Sequence, residues 1–246
     1  TKYLTFRDTD YQSQWYSPAL WHKEYVGVNG GNDKIRYAAS VSYLEDDGYI
    51  AGTGYNVFTM HGNTTFKITK RLEASTTFDL SRSVRQVPFS DYFTSIGRGL
   101  MMGPTTRNFD TEGNYITGGT NKFQQIAWFY ENFFDREAAT TRMTGNFNLK
   151  WNICDGLTAT AQYAIYYNRG EFEGHKNFVY SDRSTTETRT QTLRNTFQAY
   201  LNYNKTFNDV HTLNATVGYD YMHQRYWYLT ANSTGSVSDK VPILDS

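Results

Sequence analysis

Four stretches of the chain alternate apolar and polar residues with a period of two. In residues 72–81 the apolar-side positions are Leu72, Ala74, Thr76, Phe78 and Leu80, and the polar-side positions are Glu73, Ser75, Thr77, Asp79 and Ser81. The same alternation returns in residues 143–151, 157–167 and 213–221. Because successive side chains of a strand point to opposite faces, each stretch predicts a strand with one apolar and one polar face. This is the pattern that a membrane-spanning β-barrel requires of its strands.

The predicted strands pair into four hairpins. Their ranges are 24–29 with 34–43, 57–68 with 72–81, 139–151 with 157–168, and 190–207 with 211 to about 225. The turns between them are Gly30-Gly31-Asn32-Asp33, Thr69-Lys70-Arg71, the segment around Cys154, and Asn208-Asp209-Val210. Gly, Asn and Asp favour such turns. The sequence therefore predicts an all-β fold, an antiparallel up-and-down transmembrane β-barrel segment of about eight strands.

The connections alternate between short and long. Between the hairpins the predicted loops cover about 44–56, 82–138 and 169–189, and a further loop follows Gln224. Tight turns at one edge and long loops at the other are typical of outer-membrane barrels, whereas a soluble sandwich carries moderate loops at both ends. We expect a lead-in loop at 1–23, barrel strands with long extracellular loops at 24–228, and a loop segment at 229–246.

The composition excludes one large class of function. The 246 residues include 24 Lys and Arg and 24 Asp and Glu, so the formal net charge is zero. A nucleic-acid-binding surface would show a basic excess, and we expect no nucleic-acid partner. No stretch approaches the roughly 18 apolar residues of a transmembrane helix, but barrel strands need only about 9–11 residues each, half of them polar.

Aromatic residues make up 17% of the chain, and 21 of them are Tyr. Many lie at the ends of predicted strands: Tyr43, Phe66, Trp151, Tyr166, Tyr167, Tyr203, Phe207, Tyr219 and Tyr221. At the two rims of an apolar band these rings would form interfacial girdles. Cross-strand packing of aromatic rings is the alternative interpretation.

Several motifs occur in an order that is specific to one family. They include Gly30-Gly31-Asn32-Asp33-Lys34-Ile35-Arg36-Tyr37, then Ser42-Tyr43-Leu44-Glu45-Asp46-Asp47-Gly48-Tyr49-Ile50, then Phe66-Lys67-Ile68 with Leu72-Glu73-Ala74, Asp110-Thr111-Glu112-Gly113-Asn114-Tyr115, Phe207-Asn208-Asp209-Val210-His211-Thr212-Leu213 and Val217-Gly218-Tyr219-Asp220. In these motifs the chain resembles the barrel region of the SusC/RagA family, the TonB-dependent outer-membrane transporters of Bacteroidetes. Each motif is structural, and the resemblance depends on the set. It is weaker before the first hairpin, where Thr9-Asp10-Tyr11 stands in place of the family's Thr-Asp-Trp.

The resemblance implies a 22-stranded barrel filled by an N-terminal plug. The chain is expected to be an internal segment of such a barrel in the bacterial outer membrane, with open edges at its first and last strands. The implied function is import of glycan or peptide fragments, driven by TonB and the inner-membrane proton gradient. The implied partners are a SusD-like surface lipoprotein, outer-membrane lipid, and TonB, which would act through a plug region that we do not find in this chain.

No residue pattern predicts an enzyme, a metal site or a cofactor. The five histidines are scattered, without metal-ligand spacing. The segment Asp110-Thr111-Glu112-Gly113-Asn114 resembles a calcium loop, but Asn121 stands where a bidentate acid is needed. Cys154 is the single cysteine and excludes an internal disulfide. We therefore expect no catalytic residues, no metal and no cofactor.

Three aromatic clusters in or beside the predicted long loops are the candidate ligand-binding residues. They are Tyr92 and Phe93, then Trp128, Phe129 and Tyr130, then Tyr226, Trp227 and Tyr228. Aromatic faces stack on sugar C–H surfaces while neighbouring polar groups bind the hydroxyls. Packing of the loops against one another or against a partner is the alternative role for these rings.

The polar sides of the strands are expected to face the barrel lumen or the plug. These positions are Arg36, Asn63, Lys67, Glu73, Asp79, Asn146, Lys150, Gln162, Gln198, Asn202 and Asp220. Two other classes of protein fit the alternation. One is a passive outer-membrane pore or adhesin barrel, and the other is a soluble carbohydrate-binding β domain.

Overall fold

The computed structural model describes Asp10, Ser13, Tyr16, Glu112 and residues 18–50, 52–86, 103–105, 134–176 and 183–235. Within these residues the strands are β1 (Trp21–Gly31), β2 (Ile35–Asp46), β3 (Gly54–Lys67), β4 (Leu72–Gln86), β5 (Phe134–Cys154), β6 (Leu157–Lys176), β7 (Ser184–Phe207) and β8 (His211–Thr234). They form one 8-stranded sheet in the order β1-β2-β3-β4-β5-β6-β7-β8. Every neighbouring pair is antiparallel. The predicted up-and-down architecture is confirmed, and β1 and β8 are its two edges.

The predicted turns close the hairpins. Asn208 and Asp209 have φ angles of 53° and 56°, and two successive residues with positive φ are the signature of a type I′ turn, whose twist matches that of the flanking strands. Gly156 has a φ of 82°, and a Cβ there would lie 2.7 Å from the Asn204 carbonyl oxygen. In the first turn, the Asn32 side chain accepts a hydrogen bond of 2.8 Å from the Lys34 backbone N–H.

The strands are longer than the alternation predicts, mostly at the ends away from the tight turns. β1 begins at Trp21 rather than residue 24, β6 runs to Lys176, and β8 runs to Thr234. The predicted loop bounds at about 44–56 and 169–189 are therefore too wide, because β2 continues to Asp46, β6 to Lys176 and β7 begins at Ser184; the predicted end of β8 near Arg225 is also wrong. In these extensions both faces carry polar residues, so the period of two disappears although the backbone ladder continues.

Strand lengths increase along the chain, from 11 residues in β1 to 24 in β7 and β8. The tight-turn ends are also staggered. Leu72, the first residue of β4, pairs with Trp151, but β5 continues to Cys154. Leu157, the first residue of β6, pairs with Tyr203, but β7 continues to Phe207. A progressive stagger of this kind accompanies the strand tilt of a barrel wall.

The described residues form a single layer with almost no core. Ala74 and Ala139 are its buried hydrophobic residues, each 7% exposed. Large apolar side chains such as Phe147, Trp151 and Tyr163 are between 45% and 49% exposed. Among the described residues, no helix has the length and apolar character needed to cross a membrane.

Candidate functional site

The cross-strand register joins the apolar sides of neighbouring strands into one continuous band, which we call the apolar band. Across the middle of the sheet, Phe78 pairs with Gly145, Gly145 with Ile165, and Leu80 with Met143. On β6 the band runs from Leu157 to Tyr167, and on β7 it runs from Tyr203 to Leu193. At about 3.3 Å per residue and a tilt near 40°, the ten steps from Leu157 to Tyr167 rise about 25 Å. This height matches the apolar band of outer-membrane barrels, about 25 Å.

Most of the predicted girdle aromatics lie on this face, and many of them mark the two rims of the apolar band. Tyr43, Tyr167 and Tyr221 lie at the rim toward the long connections, and Phe66, Trp151 and Tyr203 lie near the tight turns, as the pairing of their strands shows. Tyr166 is an exception. It shares the opposite face with Arg194, whose guanidinium carbon lies 5.4 Å from the centre of the Tyr166 ring. The girdle interpretation of Tyr166 is therefore wrong.

The opposite side of the sheet, which we call the polar face, carries all eleven residues predicted to face a lumen. Its side chains hydrogen-bond from strand to strand. The Gln162 amide donates to Asn146 over 3.0 Å, and the Thr216 hydroxyl donates to Asn202 over 2.8 Å. His61 Nδ1 lies 2.5 Å from Asp79 Oδ1. The prediction that these residues share one face is confirmed, and the lumen itself remains a proposal.

Beyond the apolar band the sheet continues on the side of the long connections. We call this extension the upper wall; it comprises residues 82–86 of β4, 134–142 of β5, 168–176 of β6, 184–192 of β7 and 222–234 of β8. On β6 it rises about 20 Å above the band, from the strand rise and a tilt near 40°. The face that is apolar below becomes charged here, and it carries the ion pairs Arg169–Glu171 and Arg189–Glu187. This charged face is suited to water rather than lipid.

The polar face of the upper wall is basic. The register places Arg85, Arg136 and Arg142 on it, with Arg194 at its base. The described residues of this face include no Asp or Glu, because Glu137, Glu171, Glu173 and Glu187 all fall on the other face. The two faces of one extension therefore differ in charge, although the chain as a whole has a formal net charge of zero.

Contacts along the wall orient these guanidinium groups. Arg194 Nε donates to Gln224 Oε1 over 2.9 Å. Arg136 lies over the Phe172 ring, with 4.9 Å from its guanidinium carbon to the ring centre. A Cβ on Gly174 would approach this pair, lying 3.2 Å from the ring of Phe172 and 3.4 Å from Arg136 Nε. Burial lowers the pKa of the Arg136 guanidinium, but arginine starts so high that the group stays charged at neutral pH.

The structure separates the third predicted aromatic cluster. Tyr226, Trp227 and Tyr228 lie within β8, not in a loop. Tyr226 pairs with Thr192 and Tyr228 with Thr190 on the polar face, whereas Trp227 pairs with Gln191 on the other face. Both tyrosines are well exposed, at 61% and 57%. The two tyrosines can contact one ligand together, but Trp227 cannot join them.

The other two predicted clusters, Tyr92 with Phe93 and Trp128 with Phe129 and Tyr130, lie outside the described residues. The ligand-binding role of all three clusters remains a prediction. The calcium-like segment also lies outside the described residues except for Glu112. Among the residues that the structure describes, no group of three or more His, Cys, Asp or Glu side chains could hold a metal ion. Cys154 is exposed in its turn.

Arg142 and Arg194 are not among the site residues that the sequence predicts. The alternation already places Arg142 and Arg194 on the polar side of their strands, since Met143 and Leu193 are on the apolar side. The alternation does not give the register of β5, β6 and β7, which brings these two arginines onto one surface. It also does not show that β8 continues beyond Arg225 and places Tyr226 beside them.

The chain is similar to two TonB-dependent receptors of Formosa agariphila. It is 24% identical to TonB-dependent receptor P39 over 215 residues, which is 82% of this chain and 20% of the receptor. It is 24% identical to TonB-dependent receptor P3 over 237 residues, which is 87% of this chain and 22% of the receptor. The chain thus spans about a fifth of the length of these relatives. No family model matches it.

Solved structures show the same fold. The chain aligns with the RagAB peptide importer in its closed-closed state with a TM-score of 0.81 and 18% identity, over 97% of this chain and 28% of the other. The open-open state gives a TM-score of 0.81 and 17% identity, over 98% of this chain and 28% of the other. The resemblance to SusC/RagA-type TonB-dependent transporters that the motifs predict is confirmed: in sequence and in fold, the chain is similar to a segment of such a barrel.

Proposed function

We propose that the chain forms eight consecutive strands of an outer-membrane TonB-dependent importer that takes up peptide or glycan fragments. The observation that carries this proposal is the apolar band, about 25 Å high by strand rise and tilt, on a sheet whose other face is polar and hydrogen-bonded. Lipid would cover the apolar band, and the polar face would line the lumen or contact a plug.

The exposure of the apolar band favours a membrane over an aqueous location. A soluble sheet buries its apolar face against a second layer. In the described residues no second layer covers this face, and Phe147 and Trp151 are each 49% exposed on it. Lipid would remove this apolar surface from water, which is the dominant favourable contribution to burial.

The two open edges support a larger barrel. Among the strands that the structure describes, β1 and β8 each have one neighbour, and an exposed strand edge is a site for pairing with another strand. Nearly every residue of β8 is exposed. In the complete importer, further strands would pair with both edges and close the barrel.

The upper wall supports a partner on the side of the long connections. Because its two faces are polar or charged, it would stand in water above the outer leaflet. A SusD-like surface lipoprotein, acting as a lid, would contact the importer at this level. TonB would act from the opposite side, through a plug region outside this chain.

Two kinds of substrate fit this proposal. The similarity in fold to the RagAB peptide importer favours peptide fragments. The paired tyrosines Tyr226 and Tyr228 favour glycan fragments, because aromatic faces stack on sugars. Both kinds are oligomers with many polar groups, as a hydrogen-bonding wall requires.

Energy-dependent uptake tests the proposed function. The gene would be deleted in the bacterium that encodes the chain, and uptake of fluorescent peptide and oligosaccharide mixtures would be measured with and without a protonophore. We expect the deletion to abolish uptake of one mixture, and the protonophore to abolish the same uptake in the parent strain. Uptake that continues in the presence of the protonophore would indicate a passive pore. Recovery of the protein in the soluble fraction would indicate the soluble β domain.

A further inference from the structure

Arg142, on the polar face of the upper wall, and Arg194, at the base of the wall, form a surface that we call the arginine surface. It lies on the opposite side of the sheet from the apolar band. Arg142 and Arg194 are both exposed. In the register, Arg142 pairs with Asn168, Asn168 with Thr192, and Arg194 lies two residues further along β7. From strand spacing and rise, the two Cα atoms are about 12 Å apart. Because both side chains are long and lie on one face, their guanidinium groups can reach a common point between them.

The floor between these arginines consists of Tyr166 and Asn168 on β6, and the Tyr166 ring lies beside Arg194. The floor continues away from the tight turns through Gly170 on β6 and Thr190 and Thr192 on β7, which add hydrogen-bonding groups. Asn168 Oδ1 is enclosed and has no hydrogen-bond partner among the described residues. Gly170 is closely approached, since a Cβ there would lie 2.6 Å from the Thr190 hydroxyl oxygen. Tyr226 and Tyr228 border this floor on the β8 side.

The positive charge of the arginine surface favours a ligand that carries a carboxylate. A guanidinium has five N–H donors in a planar fork that matches a carboxylate, and the contact with Gln224 uses one donor of Arg194. On β4 to β8, the described residues of this face provide no carboxylate above Asp79, which is itself paired with His61. Hydroxyl groups and tyrosine rings surround the arginines, so a polar oligomer with an acidic group meets complementary chemistry.

We propose that Arg142 and Arg194 bind a carboxylate of the imported solute, and that this surface makes the importer selective for acidic oligomers. The proposal rests on the proposed function, because it requires the polar face to meet the solute. A carboxylate can come from an acidic peptide or from an oligosaccharide of uronic acids. Both present the same group to the two guanidinium forks.

Binding to the complete purified transporter tests this selectivity. Isothermal titration calorimetry in detergent at low ionic strength would use two matched pairs of probes. One pair is tetragalacturonate with the neutral galactose tetramer, and the other is tetraglutamate with tetraglutamine, both acetylated at the N-terminus and amidated at the C-terminus so that tetraglutamine has no carboxylate. We expect at least one acidic probe to bind about tenfold or more tightly than its neutral counterpart, the size of effect that charged hydrogen bonds give. The probe pair that shows this preference identifies the source of the carboxylate.

Variants locate the effect on one face. We expect the double variant Arg142→Gln/Arg194→Gln to lose about tenfold in affinity for the acidic probe, which corresponds to the loss of charged hydrogen bonds. Affinity for the neutral probe should not change. Arg225→Gln removes the same charge at a similar height on the other face, where Arg225 pairs with Leu193, and it should change affinity less than twofold. Arg142→Lys/Arg194→Lys keeps both charges and should retain the preference in part; it also controls for misfolding.

Three results would overturn the selectivity proposal: no binding of either acidic probe, equal binding of acidic and neutral probes, or an equal loss in Arg225→Gln. In each case protonophore-sensitive uptake of neutral solutes could continue, and the proposed import function would stand. Loss of outer-membrane localisation or of protonophore sensitivity would instead contradict the proposed function, whatever the calorimetry gives.

Discussion

Replacing Ala161 with arginine tests whether the apolar band lies in lipid. Ala161 pairs with Leu149 on β5 and Ala199 on β7, deep within the band. On β6 the band extends from Leu157 to Tyr167, so Ala161 lies near its middle, about 10 Å from the tight-turn rim and about 15 Å from the other rim by strand rise and tilt. An arginine there cannot bring its charge to water by extending along the surface.

The expected cost follows from this depth. An arginine at the midplane of a barrel's lipid face destabilises the fold by about 2–4 kcal/mol, and the cost falls to about 0–1 kcal/mol near the interfaces. Ala161→Arg should therefore cost about 2–4 kcal/mol. Ala159→Arg, two residues nearer the tight turn on the same face, should cost less. Gln162→Arg is the matched control, because Gln162 is adjacent in sequence, lies on the polar face and donates to Asn146.

The assay is a denaturant titration of the complete protein folded into lipid vesicles. The folded fraction at each denaturant concentration is measured from the change in electrophoretic mobility that a folded barrel shows on heating. Steady-state amounts in the outer membrane should rank the variants in the same order. The reasoning is refuted if Ala161→Arg and Gln162→Arg have equal effects on the free energy of unfolding, or if neither has an effect. Either result would mean that both faces of the sheet meet a similar environment.

Two further predictions concern β8 and a turn. Tyr226→Ala/Tyr228→Ala should reduce uptake of the substrate severalfold without changing the amount of the protein in the outer membrane. Trp227→Ala, on the other face, should leave uptake unchanged. An equal loss of uptake in both variants would contradict the shared tyrosine surface. Gly156→Ala should destabilise the barrel by about 1–3 kcal/mol in the same titration, because its positive φ and the Asn204 carbonyl oxygen 2.7 Å from a new Cβ both oppose a side chain. An unchanged unfolding midpoint would show that this turn accommodates the alanine side chain without loss of stability, contrary to this prediction.

Local patterns predicted the hairpins well. The alternation from Leu72 to Ser81 requires only that neighbouring side chains point in opposite directions, a property of the strand backbone itself. The Asn208-Asp209 turn was equally local, because few residues accept two successive positive φ angles. These features need no information about distant parts of the chain.

The candidate site was predicted less well. The sequence predicts Tyr226 and Tyr228 in or beside a long loop, but they lie in a strand and share a face that excludes Trp227. The arginine pair was not predicted at all. Arg142 and Arg194 are 52 positions apart in the sequence numbering, and only the pairing of β5, β6 and β7 brings them onto one surface.

Single-residue alternation is enough to predict that one side of each central strand is apolar and the other polar. The tight turns and the resemblance to a transporter barrel are likewise readable from local residues. The strand ends, their stagger and the charges that meet above the apolar band depend on how the strands pair. Backbone hydrogen bonds continue a ladder regardless of side-chain polarity, so polar strand extensions have no apolar signal, and their register is set by the neighbouring strands.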